Sequence, residues 1–432
     1  MRKLGRYALL HRFASGDHGD VYLARLTERL PGGELAVGDL CAVRVVRGDV
    51  ATDIEHSRLL LAEGATAVRF RHRAAVRVHE VERVGAEPYA ASDYCLGQTV
   101  GALLQRESSE GGVLDARVVA WLGAEVASAL YAASQRAWSP SGTGPMIHGG
   151  LSPRSVLVDY SGEVRVLGLG GGRARLYLPV PKSRLAYAAP EVLAGRTPDR
   201  RTDIFALGVI LHDLLTSTRL FRRATDAETR EAIMEGRPPD VLNALAGVDR
   251  ELAKLIAAMV ERSPERRPRD AEEVDEALRR FAGSPEEAQQ VLATRLERGF
   301  REEREAQRRV VDAAVRRAGS VAGARPPPTQ VRAASGSERP ALAREPSHLG
   351  PRENVPPAPR EASGVPRPAQ AAIGRDNVVP PHLAREVVPR GPSGVGAARA
   401  PSPREPLSRV PSSAGREPVA PSLGREPVAP SL

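Results

Sequence analysis

Apolar and polar positions in the first 95 residues alternate in short runs. Tyr7 to Phe13, Val21 to Leu26 and Cys41 to Val46 are β-branched or alternating stretches separated by Gly-rich turns, which predicts strands. Ile54 to Arg71 carries Leu59, Leu60, Ala67 and Phe70 at helical spacing. Val76 to Val84 and Pro88 to Tyr94 predict two more strands. After Gly97 the pattern turns helical: Val118, Leu122, Val126 and Leu130 step by four along one face of a helix from about Asp115 to Ala137. Two short strands follow, Val156 to Asp159 and Val164 to Leu167, and then helices at Asp203 to Leu215, Ala227 to Met234, Asp249 to Arg262 and Asp270 to Phe281. This order predicts an α+β fold of two lobes, a small β-rich lobe over about 7–95 and a larger helical lobe over about 96–283.

Ser284-Pro285-Glu286-Glu287 is a helix start, with Ser as N-cap, Pro in the first turn and Glu at the third position. It opens a charged helical extension over 284–318, expected as a solvated helix continuing the domain. Its face of Ala288, Leu292, Leu296 and Phe300 offers the alternative of packing on the preceding lobe or on a second copy.

Composition divides the chain further. Of its 37 prolines, 23 follow Ala324, and no Phe, Tyr or Trp follows Phe300. Such a stretch buries too little surface to offset its ordering entropy, so 319–432 is expected to be disordered. The nine residues Gly415 to Leu423 recur identically as Gly424 to Leu432, so the tail is a Pro-rich repeat segment, read either as a multivalent docking segment or as an inert linker-like product of repeat duplication.

Charge and cysteine usage exclude several classes. Of the net +9, the tail holds +6 (15 Arg against 9 acidic residues), so the folded part carries an ordinary surface and no specific nucleic-acid groove is expected. No apolar run approaches the ~18 residues of a membrane span, so no membrane partner is expected. Met1 to Tyr7 lacks the apolar stretch of a signal peptide. Cys41 and Cys95 form neither a disulfide framework nor a zinc site, which points to a reducing cytoplasm.

Six strings, in order, carry the chemistry. Ala14-Ser15-Gly16-Asp17-His18-Gly19-Asp20-Val21 lies between two predicted strands. Cys41-Ala42-Val43-Arg44 precedes a helix bearing Glu63. Ile147-His148-Gly149-Gly150-Leu151-Ser152-Pro153-Arg154-Ser155 leads into Val156-Leu157-Val158. Val166-Leu167-Gly168-Leu169-Gly170 follows. Tyr187-Ala188-Ala189-Pro190-Glu191 and Asp203 come next, and Glu265-Arg266-Arg267-Pro268 closes the set. Together they resemble the protein kinase fold, specifically the bacterial serine/threonine kinases of eukaryotic type, over about Tyr7 to Phe281.

The resemblance implies roles residue by residue. Gly16, Gly19 and Val21 match the Gly-rich loop that approaches ATP phosphates. Val21, Ala42 and Leu157 match the apolar residues that sandwich adenine, and Asp93 to Cys95 the hinge that bonds its edge. Glu191 and Arg267 match a buried ion pair, Asp203 the anchor beneath the catalytic loop, and His148 the first residue of that loop. The chemical positions depart from the pattern. Arg44 replaces the phosphate-positioning Lys, Gly150 the catalytic base, Ser155 one metal ligand and Gly168 the other. A forked guanidinium does not replace an ammonium in positioning phosphates. An Arg44–Glu63 ion pair is expected to hold the helix inward.

The resemblance thus implies a degenerate kinase, a pseudokinase without phosphoryl transfer and without a metal site. It would act as a binding, scaffold or allosteric module for protein partners such as kinases or their substrates. Two alternatives stand beside it. An atypical kinase with residual transfer would need a substitute acid, and Asp159 and Glu163 are the nearest in sequence. A nucleotide sensor would bind ATP or another adenine nucleotide without Mg²⁺.

Overall fold

The computed structural model describes residues 2–16, 19–140, 142, 144–234 and 241–319. Within them the first lobe is a six-stranded antiparallel sheet in the order β1-β2-β3-β4-β6-β5. Its strands are β1 (Arg2–Leu4), β2 (Tyr7–Gly16), β3 (Gly19–Leu26), β4 (Leu40–Val46), β5 (Val78–Val84) and β6 (Glu87–Asp93). Alternation sets its one apolar face, where Tyr7, Leu9, Ala24, Leu26, Val43 and Tyr89 are buried together. After β4 come α1 (Gly48–Ala51) and α2 (Ile54–Ala67). Asp53 caps α2 by accepting the His56 N–H at 2.8 Å. Helix α2 ends at Ala67, four residues before the end its periodicity predicts, and Phe70 is buried beyond it.

Residues Gly97–Thr99 form β7, which opens a second sheet in the order β7-β8-β9, with β8 (Val156–Asp159) and β9 (Val164–Val166). The helices of this lobe begin with α3 (Val100–Glu110) and α4 (Ala116–Ser134). Both Trp121 and Leu122 are buried on α4, so it is apolar nearly all round and forms the centre of the lobe. Then come α5 (Gly172–Tyr177), α6 (Pro190–Leu193), α7 (Arg200–Thr216), α8 (Asp226–Met234), α9 (Val241–Ala244), α10 (Arg250–Met259) and α11 (Ala271–Arg279). The sequence pattern starts α7 at Asp203, but the helix begins three residues earlier at Arg200, capped by Asp199, which accepts the Arg201 N–H. The short β1 and α5 have no counterpart in the sequence reading.

The helical extension consists of α12 (Pro285–Gly299) and α13 (Arg301–Gly319). Helix α12 is not a solvated helix, whereas α13 is largely exposed, with Ala314 its one buried residue among the described side chains. Ala288, Leu292, Leu296 and Phe300 join the core of the helical lobe. The charged flank is tied down as well: Arg295 donates to both oxygens of the buried Glu107 at 2.9 and 2.7 Å. Arg106 stacks over Phe300 at 4.7 Å, and on α13 Gln307 donates to the Gly97 carbonyl at 3.2 Å. The apolar stripe at four-residue spacing therefore decides the packing over the overall charge of the helix. Apart from Gly319, the last residue of α13, the expected disordered tail of 319–432 lies outside the described residues. Among the described residues no helix is long and apolar enough to cross a membrane.

Candidate active-site cleft

The floor of the cleft is built on buried polar contacts. Asp203, near the start of α7, accepts the N–H of His148 at 2.7 Å and that of Gly149 at 2.9 Å. Burial pushes its carboxyl up to about 6, and these two bonds oppose the shift. The His148 Nε2 donates to the Leu167 carbonyl at 2.9 Å, which leaves Nδ1 as an acceptor. Burial, with the Arg175 charge beside it, holds His148 neutral, well below the usual histidine range. Loop 147–155 is thus fixed to α7 on one side and to the segment after β9 on the other.

A second anchor lies deeper. Arg267 donates to both oxygens of Glu191 at 2.8 Å each. Its remaining N–H groups reach the carbonyls of Glu261 at 2.7 Å, Arg201 at 3.0 Å and Arg262 at 3.1 Å. Thr202 adds a hydroxyl to Glu191 at 2.9 Å, and the guanidinium stacks over Phe205 at 4.9 Å. All five donors of the arginine are used, the condition under which a buried ion pair is tolerated.

The upper side departs from the expectation of an Arg44–Glu63 pair. Glu63, fully buried on α2, accepts the backbone N–H groups of Arg173 and Ala174 at 3.0 Å each. These are first-turn donors of α5, which have no partner within the helix. The carboxylate therefore caps α5 and is not available to Arg44. Arg44 has no ion-pair or side-chain hydrogen-bond partner among the described residues. Burial alone lowers its pKa.

Helix α5 delivers Arg175 into the space in front of loop 147–155. Its guanidinium donates to the His148 carbonyl and, at 3.0 Å, to the Gly168 carbonyl. A side chain at Gly150 would run into Arg175 and the guanidinium of Arg184; one at Gly168 would meet Arg175 at 3.0 Å. Gly168 also has φ +81°, a conformation that favours glycine. Burial and the charges of Arg184 and Arg44 push Arg175 down to about 9, so it stays a cation at neutral pH. Ser155 faces its own loop: its hydroxyl donates to the Ser152 carbonyl at 2.8 Å and accepts the Ser152 N–H at 2.9 Å. Leu169 is buried in the core of the helical lobe.

These residues do not fit a magnesium ion. Gly150 and Gly168 supply no carboxylate, Ser155 is engaged locally, and a guanidinium stands against the Gly168 carbonyl. Among the described residues no cluster of three or more His, Cys, Asp or Glu side chains is placed to hold a metal.

The candidate nucleotide residues lie on β2, β3, β4, β6 and β8 and, for Cys95, just past β6. Gly16 and Gly19 pair across the β2–β3 hairpin, whose tip residues Asp17 and His18 lie outside the described residues. A side chain at Gly19 would strike the Val45 carbonyl on β4. Arg47, from just past β4, clips the hairpin by donating to the Gly16 carbonyl at 3.0 Å. Val21 and Ala42 sit on β3 and β4, and Leu157 on β8. Asp93 accepts from His79 Nε2 at 2.6 Å, and burial pushes the Cys95 thiol up to about 11, which makes it unreactive. Phe13 meets Tyr94 edge-on, with ring centroids 5.6 Å apart.

Comparison with known proteins agrees with this architecture. The protein kinase domain model matches residues 7–278. The chain belongs to the protein kinase family. The tyrosine-protein kinase MasK of Myxococcus xanthus is 26% identical over 288 residues, covering 65% of this chain and 44% of MasK. The serine/threonine-protein kinase PknJ of Mycobacterium tuberculosis is 29% identical over 274 residues, covering 60% of this chain and 43% of PknJ. The chain thus spans less than half the length of these curated relatives. The crystal structure of the Mycobacterium tuberculosis PknI kinase domain shares the fold, with a TM-score of 0.51 at 21% identity, over 65% of this chain and 98% of that one.

Within this kinase domain the motif reading located His148, Glu191, Asp203 and Arg267, which the structure joins as two anchors. It missed Arg175 and Arg184. Arg173, Arg175 and Arg184 stand in the segment between Gly168 and Glu191. Without α5, nothing in the sequence aims them at Gly150.

Proposed function

We propose that this kinase domain does not transfer phosphate and works by binding a protein partner. The observation that carries this reading is Arg175, a cation held in the space that Gly150 and Gly168 leave open. A base and two metal ligands supply proton removal and charge neutralisation in phosphoryl transfer. Here Gly150, Ser155 and Gly168 offer none of these groups, and the capped Glu63 is kept from Arg44. The full-length chain incubated with radiolabelled ATP, with Mg²⁺ or Mn²⁺, is expected to incorporate no label into itself or into casein. Label that exceeds a heat-inactivated control, and disappears on Arg44→Ala, would establish residual transfer instead. The same logic covers nucleotide binding: ATP is expected to raise the melting midpoint equally with and without Mg²⁺, or not at all. A metal-dependent rise of several degrees would overturn this reading.

A further inference from the structure

The two lobes are joined covalently by Tyr94, Cys95 and Leu96, which lead from β6 into β7. They also touch where Glu63 of α2 caps α5, and where residues 74 and 76 bond to Val166 of β9. Helix α13 adds a contact of a different kind, because it follows the helical lobe in sequence and yet returns to the hinge. Arg304 stacks over Tyr160, just past β8, at 5.0 Å, and the Tyr160 hydroxyl accepts the side-chain N–H of Gln98 on β7 at 3.0 Å. About one turn on, Gln307 donates to the carbonyl of Gly97, the first residue after the hinge. Two turns beyond Gln307, on the same face, Ala314 is buried, and α13 also meets β2 of the first sheet. Strand β2 carries Phe13, which stands edge-on to Tyr94 of the hinge. Helix α13 therefore runs beside the hinge from one lobe to the other.

The two helices of the extension are held very differently. Helix α12 buries Ala288, Leu292 and Leu296, and Phe300 at its end is buried with Arg106 stacked over it. On α13 the buried set shrinks to Ala314 among the described side chains. Two polar atoms on α13, Arg304 Nε and Gln307 Oε1, are buried with no hydrogen-bond partner among the described residues. Such atoms weaken the docked state, because water would satisfy them on release. Phe300, at φ −133° and ψ 35°, leaves helical geometry, so α12 and α13 meet at a bend. A segment with few buried apolar contacts opens locally at low cost, and the bend lets α13 do so without disturbing α12.

We propose that α13 is a strap across the hinge: docked, it restrains the two lobes against each other, and released about Phe300 it lets them open while α12 stays in place. Docking of α13 and the spacing of the lobes are then linked equilibria. Whatever holds the lobes apart weakens the docking, and whatever lifts α13 favours the open lobes by the same factor. The inference goes beyond the binding reading and is independent of it, since none of these contacts involves Arg44, Gly150, Ser155 or Gly168.

The test uses the full-length chain without nucleotide. Hydrogen exchange read by mass spectrometry follows α4, α12, α13 and the hinge. Spin labels at Val84→Cys and Val113→Cys, two exposed positions with one on each lobe, report the distribution of inter-lobe distances. The chain without these two substitutions controls for labelling of Cys41 and Cys95. Ala314→Glu places a charge at the buried position. It is expected to speed exchange of α13 and of residues 94–99 by about ten-fold or more and to broaden the distance distribution. Unchanged rates in α4 and α12 verify the fold. Ala306→Glu, at an exposed position of the same helix, should match the parent chain in both readouts. Gln307→Ala removes the bond to Gly97 alone and should speed hinge exchange by roughly two- to ten-fold, which decides the matter should Ala314→Glu fail to fold. Faster exchange confined to α13, with hinge rates and inter-lobe distances unchanged, would make α13 a fraying appendage and overturn the proposal. Unchanged protection of α13 in Ala314→Glu, or equal broadening in Ala306→Glu, would overturn it as well.

Discussion

Two arginines in this chain, Arg267 buried and Arg175 partly buried, lie in opposite electrostatic settings. Arg267 meets a carboxylate with both arms of its fork and spends its other three donors on carbonyls. Arg175 meets carbonyls and the His148 ring, with two further guanidiniums acting on it. At the first site charge is matched and the geometry is closed. At the second the fold holds a positive charge that it does not neutralise. The contrast separates a buried cation whose charge and five donors are all matched from one held mainly by carbonyls.

The sharpest way to break this comparison is Glu191→Ala. It leaves Arg267 buried with its partner removed, which typically costs ~3–5 kcal/mol. Urea denaturation should show a lowered midpoint with an unchanged slope. A loss below 1 kcal/mol would mean that the deep pair is not the anchor its geometry implies. Leu292→Ala comes next. Leu292 is fully buried between α12 and the helical lobe, and truncation of such a side chain costs ~2–5 kcal/mol. The same denaturation series measures it, and a negligible change would return α12 to the status of a solvated appendage. The smallest effect is expected from Arg44→Ala. Removing a desolvated cation that has no ion partner loses the packing of its stem but relieves repulsion with Arg175, so stability should change by less than ~1 kcal/mol. A loss as large as that of Glu191→Ala would restore the Arg44–Glu63 pair that the structure replaces with α5.

The difference in what could be read from the chain follows the same division. His148, Glu191, Asp203 and Arg267 sit in strings whose spacing is set by the fold, so their residue types identify them. The departure at Glu63 was not legible. A glutamate at that place on α2 has two available partners, a guanidinium on β4 or the free N–H groups of a helix start. Which one it takes depends on whether residues 172–177 coil, and six residues of Gly-Arg-Ala-Arg-Leu-Tyr have no periodicity long enough to announce a helix. The packing of α12 was half legible: its stripe was visible, but its charge favoured the wrong destination.

The sequence by itself determined the two-lobed order, the buried apolar faces and the absence of carboxylates at residues 150 and 168, because these follow from periodicity and residue identity alone. Only the tertiary structure decided what fills the space those glycines leave. Arg175 reaches Gly150 and Gly168 because the carboxylate of Glu63, more than a hundred residues earlier, caps the helix that carries it. Desolvation of that carboxylate is offset by backbone donors that exist only once α5 has formed. A contact between two such distant segments is set by the packed chain, not by the local pattern of either one.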